Sequence, residues 1–486
     1  MMKRNRLIAF LLAVLMLSTA LAACADKTGK NTGGEDDAST PPPETDDGYV
    51  HDNLPDGLDF NQREIKILHY SDTNFCDDPE DTTEIVNKAL YARDRAVEDR
   101  LNVKITNLHM PYTWDTRDAY LNNIRASVLN DDGAYDIVSG QYATMPGLIS
   151  DGIMLNLMEL DYLDFDQPWY VKGLVEETTI AGKLYFISGS INLNSIKDIC
   201  CLFYNRDLME TIHKTRDISD IVFNGDWIFE TMDEMVLASY DDLNGSTTVD
   251  EADQFGYIAG DENQITPYTQ AFNLKVTTMN EDGYPEITLN NEATYNAVIT
   301  LCEFFHGNKG VWFNKGSGTI FQEGRALFTG AMFSSAKALT EEMNNEFGLA
   351  PMPKYDENQD NYYAALNEGN TLYGIVSSCK NPDEVAAVME AFSCESYNSV
   401  EPAYYETALK VRYSKDEDTG AMFDLIRSGV LYNFGSVYGF IMNMLNIQIR
   451  FAVALNDTNW VSRVTSVEKS SAPLIDKLYE AVVALP

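Results

Sequence analysis

Between Glu64 and Ser139 the hydrophobic pattern switches period four times, and that alternation restricts the folds open to this chain more than any other feature. Glu64 to Tyr70 is a short run rich in Ile and Leu, which predicts a strand. Glu84 to Leu101 carries Ile85, Ala89, Ala92 and Ala96 on one stripe, with Val86, Leu90, Val97 and Leu101 alongside, a helical spacing. Asn102 to Leu108 reads as a second strand. Arg117 to Asn130 reads as a second helix, with Leu121, Ile124 and Val128 on one side. Tyr135 to Ser139 reads as a third strand. Strand–helix–strand–helix–strand implies parallel strands joined by crossovers, so this stretch predicts an α/β lobe. In such sheets ligands meet the loops at the carboxyl ends of strands. Those ends are Tyr70-Ser71-Asp72 and Gly140-Gln141-Tyr142.

The amino terminus sets the expected compartment. Lys3, Arg4 and Arg6 precede an apolar run from Leu7 to Leu17, followed by Leu21-Ala22-Ala23-Cys24. A basic start, a short apolar core and a small-residue cleavage site make a secretory signal, too short to span a bilayer comfortably. Leu-Ala-Ala-Cys resembles the bacterial lipobox. That resemblance implies removal of residues 1–23 and lipidation of Cys24, with palmitate-like acyl chains in the membrane. Each buried CH2 adds about 0.8 kcal/mol, and two or more chains anchor stably. The expected location is the extracellular face of the cytoplasmic membrane; the alternative is an ordinary secreted protein with Cys at the junction. Residues 24–58 are rich in Gly, Pro and acid and bury too little apolar surface to fold. They read as a disordered spacer.

The chain has 75 acidic and 35 basic residues in 486, a formal charge of −40. Phosphate backbones and anionic lipid surfaces would be repelled, which argues against nucleic acid as a partner and against broad electrostatic membrane binding. Hydrophobic residues at 45 % and aromatic residues at 11 % suffice for real cores, and the length beyond the spacer implies two lobes. Besides Cys24, the cysteines are Cys76, Cys200, Cys201, Cys302, Cys379 and Cys394. No C-x-x-C occurs, so metal or thioredoxin-type chemistry is not expected. Cys200 and Cys201 sit in an apolar strand pattern and read as core. Sequence leaves a Cys379–Cys394 bridge open.

Further along, Tyr135-Asp136-Ile137-Val138 before a glycine, Gly152 with Leu155 and Leu157, Gly182-Lys183-Leu184-Tyr185, and Leu202-Phe203-Tyr204-Asn205-Arg206-Asp207-Leu208 follow in order. Phe321-Gln322-Glu323-Gly324-Arg325-Ala326-Leu327-Phe328 and Gly348-Leu349-Ala350-Pro351-Met352-Pro353 come later. In this order behind a lipobox, the chain resembles the extracellular solute-binding proteins of carbohydrate ABC transporters, of the maltose-binding type. The resemblance implies a two-lobe α/β fold of the type II periplasmic-binding class, with crossing strands as a hinge and a sugar-sized cleft. The lobes would divide as 59–190 and 353–398 for the first, and 191–352 for the second. A helical segment, 399–486, would belong mainly to the second lobe. The implied partners are a carbohydrate, ABC permease subunits and the membrane through the lipid, with the protein itself a monomer. A ligand sensor or glycan-capture protein without transport is the alternative on the same fold.

A sugar cleft needs aromatic platforms and polar side chains for the hydroxyl rim. The expected ligand-binding residues are Tyr70, Ser71 and Asp72 after the first strand, and Gln141 and Tyr142 after the third. Asp198 is expected beside the hinge, as in the family it resembles. Phe333, with Met332, stands where that family places a stacking ring. Trp169 and Asn370, with Glu368, are further candidates. Helix capping for Asp72, surface polarity for Gln141 and Tyr142, a solvated turn for Asp198, and core packing for Phe333 and Trp169 are the competing readings.

Asp242, Asn244, Ser246, Asp250 and Asp253 fall at positions 1, 3, 5, 9 and 12 of a calcium-type loop, with the Thr248 carbonyl at position 7. The sharp-turn glycine is replaced by Thr247, and position twelve is Asp, so an Asx-rich surface turn competes. No cofactor is required; a structural calcium is the one candidate. Enzyme readings lack support. Gly-x-Ser-x-Gly, His-Glu-x-x-His and Gly-x-x-x-x-Gly-Lys are absent from the sequence. With 75 carboxylates, chance glycosidase-like pairs are expected. A surface glycan-degrading enzyme is therefore the weakest alternative.

Overall fold

The computed structural model of the protein describes residues 48–78, 84–316, 319–411 and 417–486. The signal segment, Cys24 and the spacer to residue 47 lie outside the described residues. In chain order the strands are β1 (Arg63–His69), β2 (Val103–His109), β3 (Ile137–Gln141), β4 (Cys200–Asn205), β5 (Phe255–Ala259), β6 (Thr277–Met279), β7 (Pro285–Ile287), β8 (Val311–Phe313), β9 (Ala326–Met332), β10 (Phe347–Ala350) and β11 (Thr371–Ile375).

Two main sheets result. The first has the order β11-β3-β1-β2, with β1 parallel to β2 and β3, and β11 antiparallel to β3. Helices cover both faces; β3 and β11 are buried nearly throughout, while β2 at the edge keeps Lys104 exposed. Ile65, Ile67, Ile105 and Ile137 pack with Val97 and Leu101 of helix α1 (Ile85–Leu101) and with Val385 and Val388 of Pro382–Glu395. On the other face Leu68 and Val138 meet Tyr120, Leu121 and Ile124 of α2 (Arg117–Asn130). The predicted boundaries agree with these elements within about two residues, since period alone specifies them.

The second sheet has the order β10-β4-β9-β5-β8, with β5 parallel to β8 and β9, and β4 antiparallel to β9 and β10. Rings fill its core: Phe229 stands edge-on to Tyr268, Phe272 and Phe304. The indole of Trp227 donates to the Pro351 carbonyl at 2.9 Å.

Chain crossings join the lobes. The segment ahead of β4 runs beside the segment ahead of β11: Cys200 N–H donates to Ala365 O and Asn367 N–H to Asp198 O, with Ile199 bridged to Leu366. The second crossing was expected near 353. Residues 353–366 instead stay with the second lobe, where Lys354 bridges Ile228 and Ala364 bridges Val430. The passage therefore falls at 366–371. Periodicity could not locate it, because the crossing is an extended segment defined by a partner far away in sequence. A third passage leaves the Pro382–Glu395 helix through two π-helical segments, Ser396–Val400 and Ala403–Val411. There Glu401 accepts from Ser190 Oγ at 3.1 Å and pairs with Arg427.

The end of the expected spacer is ordered. Asp52 receives both terminal nitrogens of Arg100, at 2.5 and 2.6 Å. Val50 N–H donates to Asn398 Oδ1 at 2.9 Å, and Leu54 is buried. Composition underrates this stretch because Tyr49, Val50 and Leu54 find an existing surface to cover. Among the described residues all six cysteines are free thiols, so the Cys379–Cys394 bridge is not formed. Beyond residue 421 the chain is mostly helical, ending in α3 (Trp460–Ala484).

Candidate functional site

The loops after β1, β2 and β3 meet the hinge segments from one side. Ser71 caps a short turn, Asp72–Asn74, by accepting from Thr73 N–H, which leaves the Asp72 side chain exposed. Tyr70 is buried; its hydroxyl donates to Gly369 O at 2.5 Å and receives Thr371 Oγ1 at 3.3 Å. Tyr142 is buried too, donating its hydroxyl to Leu366 O at 2.9 Å. Gln141 is half-buried, with its side-chain amide near Gly369. Asp198 is half-buried on the adjoining crossing. Burial pushes its carboxyl up to about 7, partly opposed by the neighbouring Lys197 ammonium. Tyr70 and Tyr142 both feel the Asp198 charge, and Tyr142 also feels Glu368. Thus Tyr70, Asp72, Gln141, Tyr142, Asp198 and Glu368 gather around one place.

The second lobe contributes the opposite wall. Arg450, on the helix Gln448–Ala454, pairs with Glu368 at 3.2 Å and donates to Asn263 Oδ1 at 2.8 Å and Thr266 Oγ1 at 3.2 Å. Asn446 Nδ2 donates to the other Glu368 oxygen at 3.0 Å. Glu368 is raised by burial, against the pull of Arg450. Cys200, Asn263, Thr266, Asn367, Glu368 and Arg450 line a recess of about 210 Å3 here. In the loop after β2, Trp114 is 43 % exposed and lies 5.2 Å, centroid to centroid, from Phe440. Arg117 covers the other part of that indole at 4.0 Å. Apolar ring faces and convergent polar groups suit a polyhydroxylated solute.

Other sequence candidates lie elsewhere. Trp169 is 1 % exposed in the core of the first lobe, packed with Tyr170 and Tyr397. Gly189 is required beside it: at φ +135° a Cβ would fall 2.1 Å from the Trp169 carbonyl oxygen. Phe333 is fully buried edge-on to Phe423 at 4.9 Å. Neither ring has a face open to a solute. Asn370 is 1 % exposed and accepts from Ser188 and Asn192 inside the first lobe. Met332 is half-buried, paired with Cys200 across β4 and β9. Larger hollows sit away from the hinge. One, about 720 Å3, lies beside Tyr295 and the start of α3, and another, about 640 Å3, lies between Phe229 and Tyr355. Two more, about 550 and 300 Å3, lie around Lys214–Arg216. None of the four combines groups from the two sheets.

Tyr112, Trp114, Asn263, Thr266, Asn446 and Arg450 had not been singled out. Tyr112 and Trp114 follow the end of β2, and the rule that selected Tyr70 and Gln141 would have found them. Arg450 carried no local signal.

The 242–253 loop is tied by its own side chains. Asp242 accepts from the N–H groups of Gly245, Ser246 and Thr247. Asp250 accepts from Asn244 Nδ2 and Ser246 Oγ. Asp253 is buried against Tyr240, at position twelve of the expected loop. The Ser246 hydroxyl donates to the Thr248 carbonyl. Among the described residues no group of three or more His, Cys, Asp or Glu is placed to hold a metal ion. Two histidines are held in packed surroundings. His69 is enclosed between Tyr373 and Asn107, and burial pushes it down to about 3. His213 meets Ser239, whose buried hydroxyl donates to Met235 O.

No family model and no curated protein matches the chain in sequence. Solved structures do match. The cyclic alpha-maltosyl-1,6-maltose binding protein from Arthrobacter globiformis aligns with TM-score 0.59 at 14 % identity, over 85 % of this chain and 98 % of that one. A cyclo/maltodextrin-binding protein complexed with maltotetraose aligns with TM-score 0.55 at 13 % identity, over 87 % and 97 %. UgpB from Mycobacterium tuberculosis, in complex with glycerophosphocholine, aligns with TM-score 0.54 at 14 % identity, over 85 % and 98 %. The fold is the two-lobe α/β fold of ABC solute-binding proteins.

Proposed function

We propose that this chain is a lipid-anchored extracellular protein that captures a carbohydrate, an oligosaccharide by preference, and delivers it to an ABC importer. The observation that carries the reading is the convergence of Asn367 and Glu368 of the hinge segment with Asn263, Thr266 and Arg450 beside the second sheet, where Tyr142 of the first sheet holds the same segment at Leu366. A solute bridging these groups stabilises the closed form by its differential affinity for that form. No covalent chemistry is involved. Lipid at Cys24 would hold the protein near its permease at high effective concentration. The maltodextrin-binding neighbours favour a sugar; the glycerophosphocholine complex makes that compound the natural competitor in a screen.

The test is a thermal-shift screen of neutral oligosaccharides beside glycerophosphocholine, with scattering on any hit. A tight ligand raises stability by about 2.7 kcal/mol at a hundredfold excess over Kd. A sugar that raises the Tm and contracts the protein supports the reading. Response to glycerophosphocholine alone, or shortened sugar products, would sink it. For the anchor, Cys24→Ser should move the protein from membranes to the medium.

A further inference from the structure

We propose that the recess at the foot of the cleft takes the end unit of a neutral saccharide and discriminates against sugars carrying a charge. The proposal rests on the carbohydrate reading above and adds the class of sugar and its mode of entry.

Size gives the first argument. Pockets for drug-sized ligands run about 300–1,000 Å3; this one is about 210 Å3. It holds one ring rather than a chain. Its walls come from the hinge segment, the start of β4, the Asn263–Pro267 loop and Arg450. Further units of a longer sugar would have to lie outside the recess. The saccharide would therefore enter end-on.

Charge gives the second argument. Glu368 and Arg450 are the only ionic side chains lining the recess among the described residues, and they are paired with each other. Arg450 is further committed to Asn263 and Thr266, and Glu368 to Asn446. The lining is thus internally neutral. A uronate would face the carboxylate of Glu368, with that of Asp198 nearby, and would have to compete for a guanidinium already bound. An amino sugar would bring a second cation to Arg450. Burial of an uncompensated charge is unfavourable, whereas hydroxyl groups can share the remaining lone pairs and donors. Asn367 Oδ1 is taken by Gly369 N–H, leaving its amide hydrogens for a hydroxyl oxygen. Arg450 is retained although its Nε is enclosed without a partner, an arrangement native proteins seldom keep.

The experiment measures binding of the full-length mature protein to cellotriose, maltotriose and mannotriose, and to the trimers of galacturonic acid and glucosamine. Calorimetry at fixed pH and salt is the readout. At least one neutral trimer should bind tenfold or more tighter than either charged one. Glu368→Gln keeps the acceptor for Asn446 but frees the Arg450 charge, so the preference for neutral over uronate should shrink at least tenfold. Should that variant fail to fold, Asn263→Asp places a carboxylate in the recess and should shift preference towards the glucosamine trimer. Equal binding of neutral and uronate trimers by the unaltered protein would overturn the proposal while leaving the carbohydrate reading standing. So would an unchanged ratio in a folded variant. If none of the saccharides binds, both fall.

Discussion

The Tyr142 hydroxyl donates to the Leu366 carbonyl across 2.9 Å, while the Tyr142 backbone N–H donates to Asn370 O, also at 2.9 Å. One residue at the end of β3 thus grips the second crossing at two points, four residues apart. That segment is the one that passes between the two sheets.

Tyr142→Phe removes the side-chain half of that grip and leaves a buried carbonyl short of a partner. The cost should be about 1–2 kcal/mol in unfolding free energy. Urea denaturation with an unchanged slope would register it. A loss indistinguishable from zero would mean that Leu366 O finds another donor.

Two carboxyl groups dominate the expected pH response. Asp198 is raised by burial to about 7, and Glu390 to about 8 by burial against its bond from Tyr170. A raised acid binds a proton in the folded state at a pH where the unfolded chain has lost it. Stability contributed by the protonated form is complete below the unfolded pKa, near 4, and disappears as pH rises through the folded value. Melting temperature should fall between about pH 5 and pH 8, and Asp198→Asn and Glu390→Gln should each flatten that slope. An upward trend with pH, or slopes unaffected by the substitutions, would contradict the assignment.

Arg93 and Asp94 form a buried ion pair at 2.8 Å, both about 2 % exposed or less. Arg93 also donates to Asn74 O at 2.9 Å and stacks on Phe392 at 4.3 Å. Asn107 completes the second Asp94 oxygen at 3.1 Å. Arg93→Met strands a buried carboxylate and should cost about 3–5 kcal/mol. Adding Asp94→Leu in the same chain should recover part of the loss, as chemical denaturation can test.

Trp114 offers an optical probe. It is 43 % exposed, while Trp169, Trp227, Trp312 and Trp460 are 7 % or less. A solute entering the cleft should change indole emission, and Trp114→Phe should abolish the change. Trp114→Ala should weaken binding by about 1 kcal/mol, the scale of a ring contact. A ligand-dependent signal that survives Trp114→Phe would place the solute elsewhere.

Much of the architecture was legible from local pattern. The period-two and period-3.6 segments from Glu64 to Ser139 became β1, α1, β2, α2 and β3 because the apolar stripes of the helices pack onto the apolar strand positions of the two faces. The strand-end rule led to Tyr70, Asp72, Gln141 and Tyr142. It also extends to Tyr112 and Trp114. The boundary at 353 was misplaced, and residues 49–58 were expected to be free, because each depends on a surface contributed by distant chain. Trp169 and Phe333 show the same limit: an aromatic residue near a strand end has the same sequence signature whether its ring faces a solute or a core.

Sequence alone determined the parallel α/β lobe, the strongly acidic character, and the strand ends where a site could form. Those follow from side-chain period and net charge, which are local or additive. Tertiary structure decided which polar groups converge. The hydroxyl of Tyr70 meets Gly369, and Arg450 meets Glu368 and Asn263. Such contacts close over separations of tens to hundreds of residues, and their geometry depends on how two packed sheets and their crossings are held, which no local pattern encodes.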